Sequence, residues 1–258
     1  MNGKNFSPLK TIVKADQASL AQAFVDYFEE RLILRLSEEN PKPIGFATGR
    51  TMEPIYKELV SRLKIWPKKK LDKLLEFWES FNLDEYLGLS EEHSSSFRNY
   101  MYSNLVCPVG FDPNKIHIPD SKAFNPIKEA KLYASKLFNA GDIGLQILGF
   151  GLNGHIGFNE PPASRESTCR VVSLSLSTRL QNLDSFDNKL ANVPLKAITL
   201  GMKEILKAEE IHLIVTGSSK SEILNKLLND NSSNDLPASL LNRHERVFLW
   251  ADEAAFQN

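Results

Sequence analysis

Cysteine is scarce: the 258-residue chain has two, Cys107 and Cys169, and neither has a second pair or a histidine at metal-ligand spacing. That argues against a disulfide framework and a structural zinc site, and predicts reduced thiols, buried or partly buried. Long apolar runs are missing too. No stretch approaches the ~18 consecutive apolar residues of a membrane span, and the opening Met-Asn-Gly-Lys-Asn-Phe-Ser-Pro lacks the apolar run of a signal peptide, so a cytoplasmic protein is expected. No charge sign dominates: 31 Lys and Arg against 32 Asp and Glu leave a net −1, which gives no electrostatic case for nucleic acid or a membrane as partner. No internal repeat or low-complexity tract occurs. The length suits one large α/β domain or two small ones, and the chain is read as one domain over 1–258.

What is present is a glycine-dense stretch, Leu148-Gly-Phe-Gly-Leu-Asn-Gly-His-Ile-Gly-Phe-Asn-Glu-Pro161, following the apolar strand Ile143–Leu148. Glycines at this density suit tight turns and the approach of a ligand to the backbone. The residues between them are Asn153, His155, Asn159 and Glu160, so an acid–base pair, His155 with Glu160, sits at the carboxyl end of a strand. Open α/β sheets bind ligands at that end.

Three further turns follow strands. Ile44–Ala47 leads into Thr48-Gly-Arg-Thr51 and an amphipathic helix through Ile55, Tyr56, Leu59, Val60 and Leu63, an order that offers N–H groups and a helix dipole to an anion such as phosphate. A strand expected over Leu75–Asn82 ends at the adjacent carboxylates Asp84 and Glu85, which point to different sides of their turn, so one can face a cleft while the other packs or caps. Thr216-Gly-Ser-Ser-Lys220 places Lys220 at another helix start. Together these suit proton transfer on a small phosphorylated molecule, with no metal cluster.

Elsewhere, Asp16–Leu36 reads as a helix burying Leu20, Phe24, Tyr27, Phe28 and Leu32, ended by Pro41 and Pro43. It is expected to be a single covering element ahead of the first sheet strand, about 40 residues in. Asn125–Ala140 reads as a second helix; Lys115–Pro119, Lys196–Leu200, Ile211–Val215 and Val247–Trp250 read as strands, with His117 and His212 structural. Pro67–Lys70 and Asp230–Asp235 read as surface loops, and Arg165–Val193 as a mobile cover or a surface helix. The fold predicted is α/β: a single doubly wound, Rossmann-like, mostly parallel sheet covered by helices on both faces.

Thr48-Gly-Arg-Thr51, Phe81-Asn-Leu-Asp-Glu-Tyr-Leu-Gly-Leu89 with Glu92-His93, Gly151-Leu-Asn-Gly-His-Ile-Gly-Phe-Asn-Glu-Pro161 and Gly217-Ser-Ser-Lys220 fall in an order that resembles the amino-sugar-6-phosphate deaminase/isomerase family. The resemblance covers residues 40 to 255 and implies conversion of glucosamine 6-phosphate or galactosamine 6-phosphate to a ketose 6-phosphate and ammonia, without a cofactor. It implies Asp84 as the base moving a proton from C2 to C1, and His155, held by Glu160, as the ring-opening catalyst. It further implies Thr48, Gly49, Arg50, Thr51 and Lys220 around the phosphate, with Glu85, Gly151 and Gly154 also counted against the substrate.

Two positions depart from the glucosamine pattern. Asn153 stands where an Asp is usual, and Asp184 where a phosphate-binding Arg is usual, which leaves Arg50 or Arg179 to supply the cation. Both departures point toward a galactosamine-type or broad substrate. Alternatives are a 6-phosphogluconolactonase-like hydrolase and a non-catalytic sugar-phosphate sensor. A homo-oligomer stays open, as does an effector site, for which Arg170 is a candidate.

Overall fold

In the computed structural model, which describes residues 9–229 and 232–257, seven parallel strands form the central sheet. In chain order the strands are β1 (Lys10–Lys14), β2 (Ile44–Phe46), β3 (Ser80–Asn82), β4 (Asp84–Tyr86), β5 (Ile116–His117), β6 (Leu145–Leu148), β7 (Arg170–Ser173), β8 (Lys196–Thr199), β9 (Glu210–Val215) and β10 (Val247–Asp252). The central sheet runs β1-β10-β9-β6-β2-β3-β5. Its inner strands are continuously buried, as parallel strands with helices on both faces must be. From β2 the chain winds outward through β3 to β5, then returns to β6 on the other side of β2 and winds away through β9 and β10. The order therefore reverses between β2 and β6, and the loops after these strands part to leave a crevice.

The register of that pair depends on one glycine. Gly45 lies opposite Gln146, whose buried side chain fills the place a Cβ would take, with its Oε1 2.2 Å from that position. A second, antiparallel sheet, β4-β8-β7, adds to the single sheet expected and takes Lys196–Thr199 out of the parallel set. It carries its own apolar cluster of Tyr86, Phe158, Leu174, Phe186, Val193 and Ala197.

The helix Gln17–Arg35 begins at a reciprocal cap, Ser19 N–H donating to Asp16 Oδ1 at 2.7 Å and Asp16 N–H to Ser19 Oγ at 3.1 Å. Leu20, Phe24, Phe28 and Leu32 are buried on the face toward the sheet, while Tyr27 is partly buried. Truncating a fully buried Phe such as Phe24 costs about 3–5 kcal/mol. This helix is not the only element ahead of the first expected strand. β1 precedes it as an edge strand paired to β10 alone, and its largely exposed Lys-Thr-Ile-Val-Lys lacks the buried alternation that marks a strand in sequence.

Other boundaries move as well. The basic run Lys68–Lys70 opens a helix, Lys68–Phe77, instead of forming a loop: Pro67 precedes it in extended conformation and Lys70 packs its Nζ 3.6 Å from the Trp66 ring centroid. The strand expected from Leu75 thus starts only at Ser80. The expected loop Asp230–Asp235 lies partly outside the described residues; its later part makes the turn bridged by Ser233 and Leu236. Segment 165–193 contains β7, the helix Leu176–Gln181 and short 3-10 turns, so it is a structured wall. His212 donates from Nε2 to Glu210 at 2.8 Å and accepts from Trp250 Nε1 at 3.0 Å, and His117 pairs with Glu79 at 2.9 Å. Both hold strands in place. Cys169 is buried and Cys107 exposed, so the latter departs from the expected burial. Among the described residues no helix is long and apolar enough to cross a membrane.

Candidate active site

A cleft of about 650 Å³ opens where the strand order reverses, walled by the residues that follow β2, β3, β6 and β9. Asp84, His155, Thr48, Gly49, Arg50, Thr51, Gly151 and Lys220 line it together. Four stretches spread over more than 170 residues of chain thus meet in one crevice.

Asp84 is 6% exposed. Burial, then the neighbouring charge of Glu85, push its carboxyl up to about 8, against the Phe158 amide, which lowers it. Room for Asp84 depends on Gly157, whose φ of +55° and missing Cβ leave Asp84 Oδ2 3.0 Å and Thr199 Oγ1 3.1 Å from where a Cβ would stand. Asn159 fixes the turn from below, donating to the Ile156 and Leu200 carbonyls at 3.0 and 2.8 Å and accepting from Arg170 at 2.9 Å. Arg170 therefore serves this turn.

His155 packs its ring against the Cα of Gly151, where a side chain's Cβ would lie 2.3 Å from the ring. Its Nδ1 lies 2.7 Å from Asn153 Oδ1, and its backbone N–H donates to the same oxygen at 3.2 Å. An oxygen that already takes the backbone proton is the acceptor for the ring proton as well, so Nδ1 carries hydrogen and Nε2 is left with its lone pair. Burial lowers the imidazole to about 4, helped by Lys220 and opposed by Glu160. The ring is neutral at physiological pH.

Glu160 acts differently from the expected clamp on His155. Its carboxylate accepts from Ser175 N–H at 3.0 Å, from Ser175 Oγ at 2.6 Å and from Thr178 Oγ1, and so braces Ser175, whose Oγ caps the helix Leu176–Gln181 by accepting from Thr178 N–H at 3.2 Å. It reaches His155 through its charge only. The residue bonded to the ring is Asn153.

Three expected binding residues lie elsewhere. Glu85 turns away from the cleft and accepts from the N–H groups of Tyr86, Phe97 and Arg98 and from Ser96 Oγ, at 2.8 to 3.1 Å, capping the helix Phe97–Met101. Arg179 spends its guanidinium on the Leu190 and Val193 carbonyls, at 2.6 and 3.1 Å. Gly154, at φ +79°, serves the turn: a Cβ there would meet Leu236 at 2.2 Å.

The cationic side of the cleft is built by the loop 48–51 and Lys220. Lys220 donates to the Phe150 carbonyl at 2.6 Å; burial and then Arg50 lower its ammonium to about 8. The loop hangs from two tyrosines, Tyr56 donating to the Ala47 carbonyl and Tyr100 to the Gly49 carbonyl at 3.0 Å. Arg50 pairs with Asp184 at 3.0 Å. Among lining residues not singled out from sequence, Gln181 and Asn182 belong to the Ser- and Asn-rich wall. Their signal was the polar composition of that segment next to the glycine turn.

Residues 15–250 match the family model described as glucosamine-6-phosphate isomerases/6-phosphogluconolactonase. The chain belongs to this family. Within it, a glucosamine-6-phosphate deaminase of Oceanobacillus iheyensis is 38% identical over 246 residues, spanning 95% of this chain and 96% of that relative. The corresponding deaminase of Staphylococcus epidermidis is 40% identical over 245 residues, spanning 95% and 97%. Among solved structures, a monomeric glucosamine-6-phosphate deaminase superposes with a TM-score of 0.87 at 33% identity, covering 96% of this chain and all of that one. The 6-phosphogluconolactonase of Leishmania guyanensis, at TM-score 0.75 and 19% identity over 98% of this chain and 99% of that one, shares the family's fold. The chain is thus an enzyme of the deaminase group of this family.

Proposed function

We propose that the protein converts glucosamine 6-phosphate and water to a ketose 6-phosphate and ammonia, by ring opening, C2-to-C1 proton transfer and imine hydrolysis. The observation that carries this reading is a buried carboxyl, Asp84, facing the same cleft as a neutral imidazole whose Nε2 is free to accept, with two cations on the adjoining wall.

In this scheme Thr48, Thr51, Arg50 and Lys220 hold the phosphate at the crevice. His155 Nε2 takes the proton of the anomeric hydroxyl and returns it to the ring oxygen as the C1–O5 bond breaks, giving the open-chain aldehyde. Asp84 takes the C2 proton; the C–H electron pair forms the C1–C2 double bond while the aldehyde oxygen gains a proton given up by the C2 ammonium, which leaves the nitrogen with its lone pair. Asp84 then gives its proton to C1 as the nitrogen lone pair forms the C2 imine. Water adds to that imine, ammonia leaves, and the C2 ketone remains. A substrate ammonium beside Asp84 favours the carboxylate, so binding itself readies a base that burial otherwise keeps protonated.

The relatives named above favour the gluco sugar. The two departures in sequence have local explanations that need no change at C4: Asn153 fixes the imidazole tautomer, and Asp184 pairs with Arg50. Ammonia release from glucosamine 6-phosphate and galactosamine 6-phosphate, measured side by side with 6-phosphogluconolactone hydrolysis as control, tests the reading. Faster turnover of the gluco sugar supports it. Preference for the galacto sugar overturns the substrate assignment, and activity on the lactone alone overturns the reaction.

A further inference from the structure

The two cations lining the cleft among the described residues, Arg50 and Lys220, are close enough that Arg50 lowers the Lys220 ammonium. Lys220 has a partner in the Phe150 carbonyl. Arg50 reaches instead across the mouth of the cleft to Asp184, Nη1 to Oδ2 at 3.0 Å, with both side chains largely exposed. Asp184 sits in the 3-10 turn Leu183–Phe186, two residues beyond Asn182 of the cleft wall.

That turn is firmly seated. Phe186 is buried edge-on to Tyr86 at 5.4 Å between ring centroids, and Ser95 Oγ donates to the Ser185 carbonyl. The guanidinium is on a loop tied by Tyr100 and Tyr56. The pair thus joins two anchored rims, with the movable parts being the side chains themselves. An ion pair this exposed is held weakly, whereas a phosphate dianion offers a guanidinium more charge and a fork of acceptor oxygens. One guanidinium edge cannot serve both partners fully.

We propose that Asp184 is a positioning residue for the phosphate site: it holds the Arg50 guanidinium at the rim of the cleft and yields it to the substrate's phosphate, so that the Arg50–Asp184 pair and anion binding compete. This rests on reading the cleft as a sugar-phosphate site. It assigns the phosphate-binding arginine to the loop 48–51 and makes Asp184 a brake on affinity, acting through Arg50.

Binding of inorganic phosphate, by calorimetry and by 31P line broadening for weak variants, tests this without turnover. Asp184→Asn is expected to tighten phosphate about threefold to fivefold and to lower KM for the sugar phosphate similarly with kcat unchanged. In an Arg50→Gln chain, phosphate binds at least about tenfold more weakly and the added Asp184→Asn changes affinity less than twofold. Weaker or unchanged binding in Asp184→Asn, which a merely structural tie would give, overturns the proposal, as does an equal gain with and without Arg50. A wild-type chain that binds phosphate but releases no ammonia defeats the deaminase reading alone; one that binds no phosphate defeats the cleft assignment beneath both.

Discussion

His155 donates twice to Asn153 Oδ1, from its ring Nδ1 at 2.7 Å and from its backbone N–H at 3.2 Å. The amide therefore does the orienting half of a carboxylate's work and omits the charge. Its backbone bond closes a two-residue Asx turn, which needs the short side chain of Asn or Asp at that spacing. The turn and the tautomer are set by the same oxygen.

Replacing Asn153 separates those two functions. Asn153→Asp keeps the geometry and puts a negative charge beside the ring, so the His155 pKa, now near 4, rises by at least about one pH unit. The C2 proton chemical shift of His155 followed through a pH titration reads this directly. Asn153→Leu removes the acceptor, lets the ring turn, and is expected to lower kcat about 10²-fold with KM within about threefold. An unshifted titration in the Asp variant would show that the ring is not held as described.

Asp84 supplies a pH dependence with a definite sign. In the proposed mechanism Asp84 must be ionised to take the C2 proton, so kcat/KM is expected to rise with pH toward a midpoint near 8, the value burial and Glu85 impose on the free enzyme. Asp84→Asn abolishes turnover, by about 10³-fold or more, and leaves phosphate binding nearly intact. Stability runs the other way. The folded-state pKa lies above the ordinary 3.8, so the carboxyl's contribution is fully present below 3.8 and is lost as pH rises through about 8. The Asn variant should therefore match the wild type in Tm near pH 4 and exceed it by at least about 2 °C near pH 9, in paired thermal melts.

Much of this site was legible because its chemistry is written in short local patterns. The strands before Thr48, Gly149 and Thr216 are buried apolar runs followed by polar turns, and parallel packing requires those turns to share one edge. Partnerships across the chain were less legible. Glu160 and Glu85 looked like site carboxylates, yet Glu85 takes the first amides of the helix Phe97–Met101 and Glu160 holds Ser175, the cap of the helix Leu176–Gln181. Those helices are short, and the two carboxylates lie too far from them in sequence for their contacts to show as a local pattern. β1 and β7 stayed hidden for another reason: their side chains are half-exposed and follow no alternation of burial.

The cap made by Glu85 predicts a structural phenotype with a catalytic signature. Gln keeps one acceptor oxygen where the carboxylate served three N–H groups and a hydroxyl, and adds a donor facing donors. Glu85→Gln should cost about 3 kcal/mol and lower Tm by roughly 6–12 °C. Loss of its charge also removes the second cause of the high Asp84 pKa, so the acidic limb of kcat/KM moves to lower pH in the folded variant. A limb left in place would mean that burial alone sets the base.

Tyr100 carries the last link, from that capped helix to the loop 48–51. It stands on Phe97–Met101, whose first amides Glu85 holds, and its hydroxyl donates to the Gly49 carbonyl at 3.0 Å. The strand bearing Asp84 and the loop bearing Arg50 are thereby tied through one short helix. Tyr100→Phe deletes the hydrogen bond and leaves the ring against Tyr56, 6.1 Å between centroids. A single hydrogen bond of this kind is worth about 0.5–1.5 kcal/mol, so KM for the sugar phosphate should rise roughly twofold to tenfold while kcat stays within about twofold. Steady-state kinetics with both constants resolved decides the matter: a fall in kcat at constant KM would place Tyr100 in the chemistry, and no change in either would show that the loop holds its shape without it.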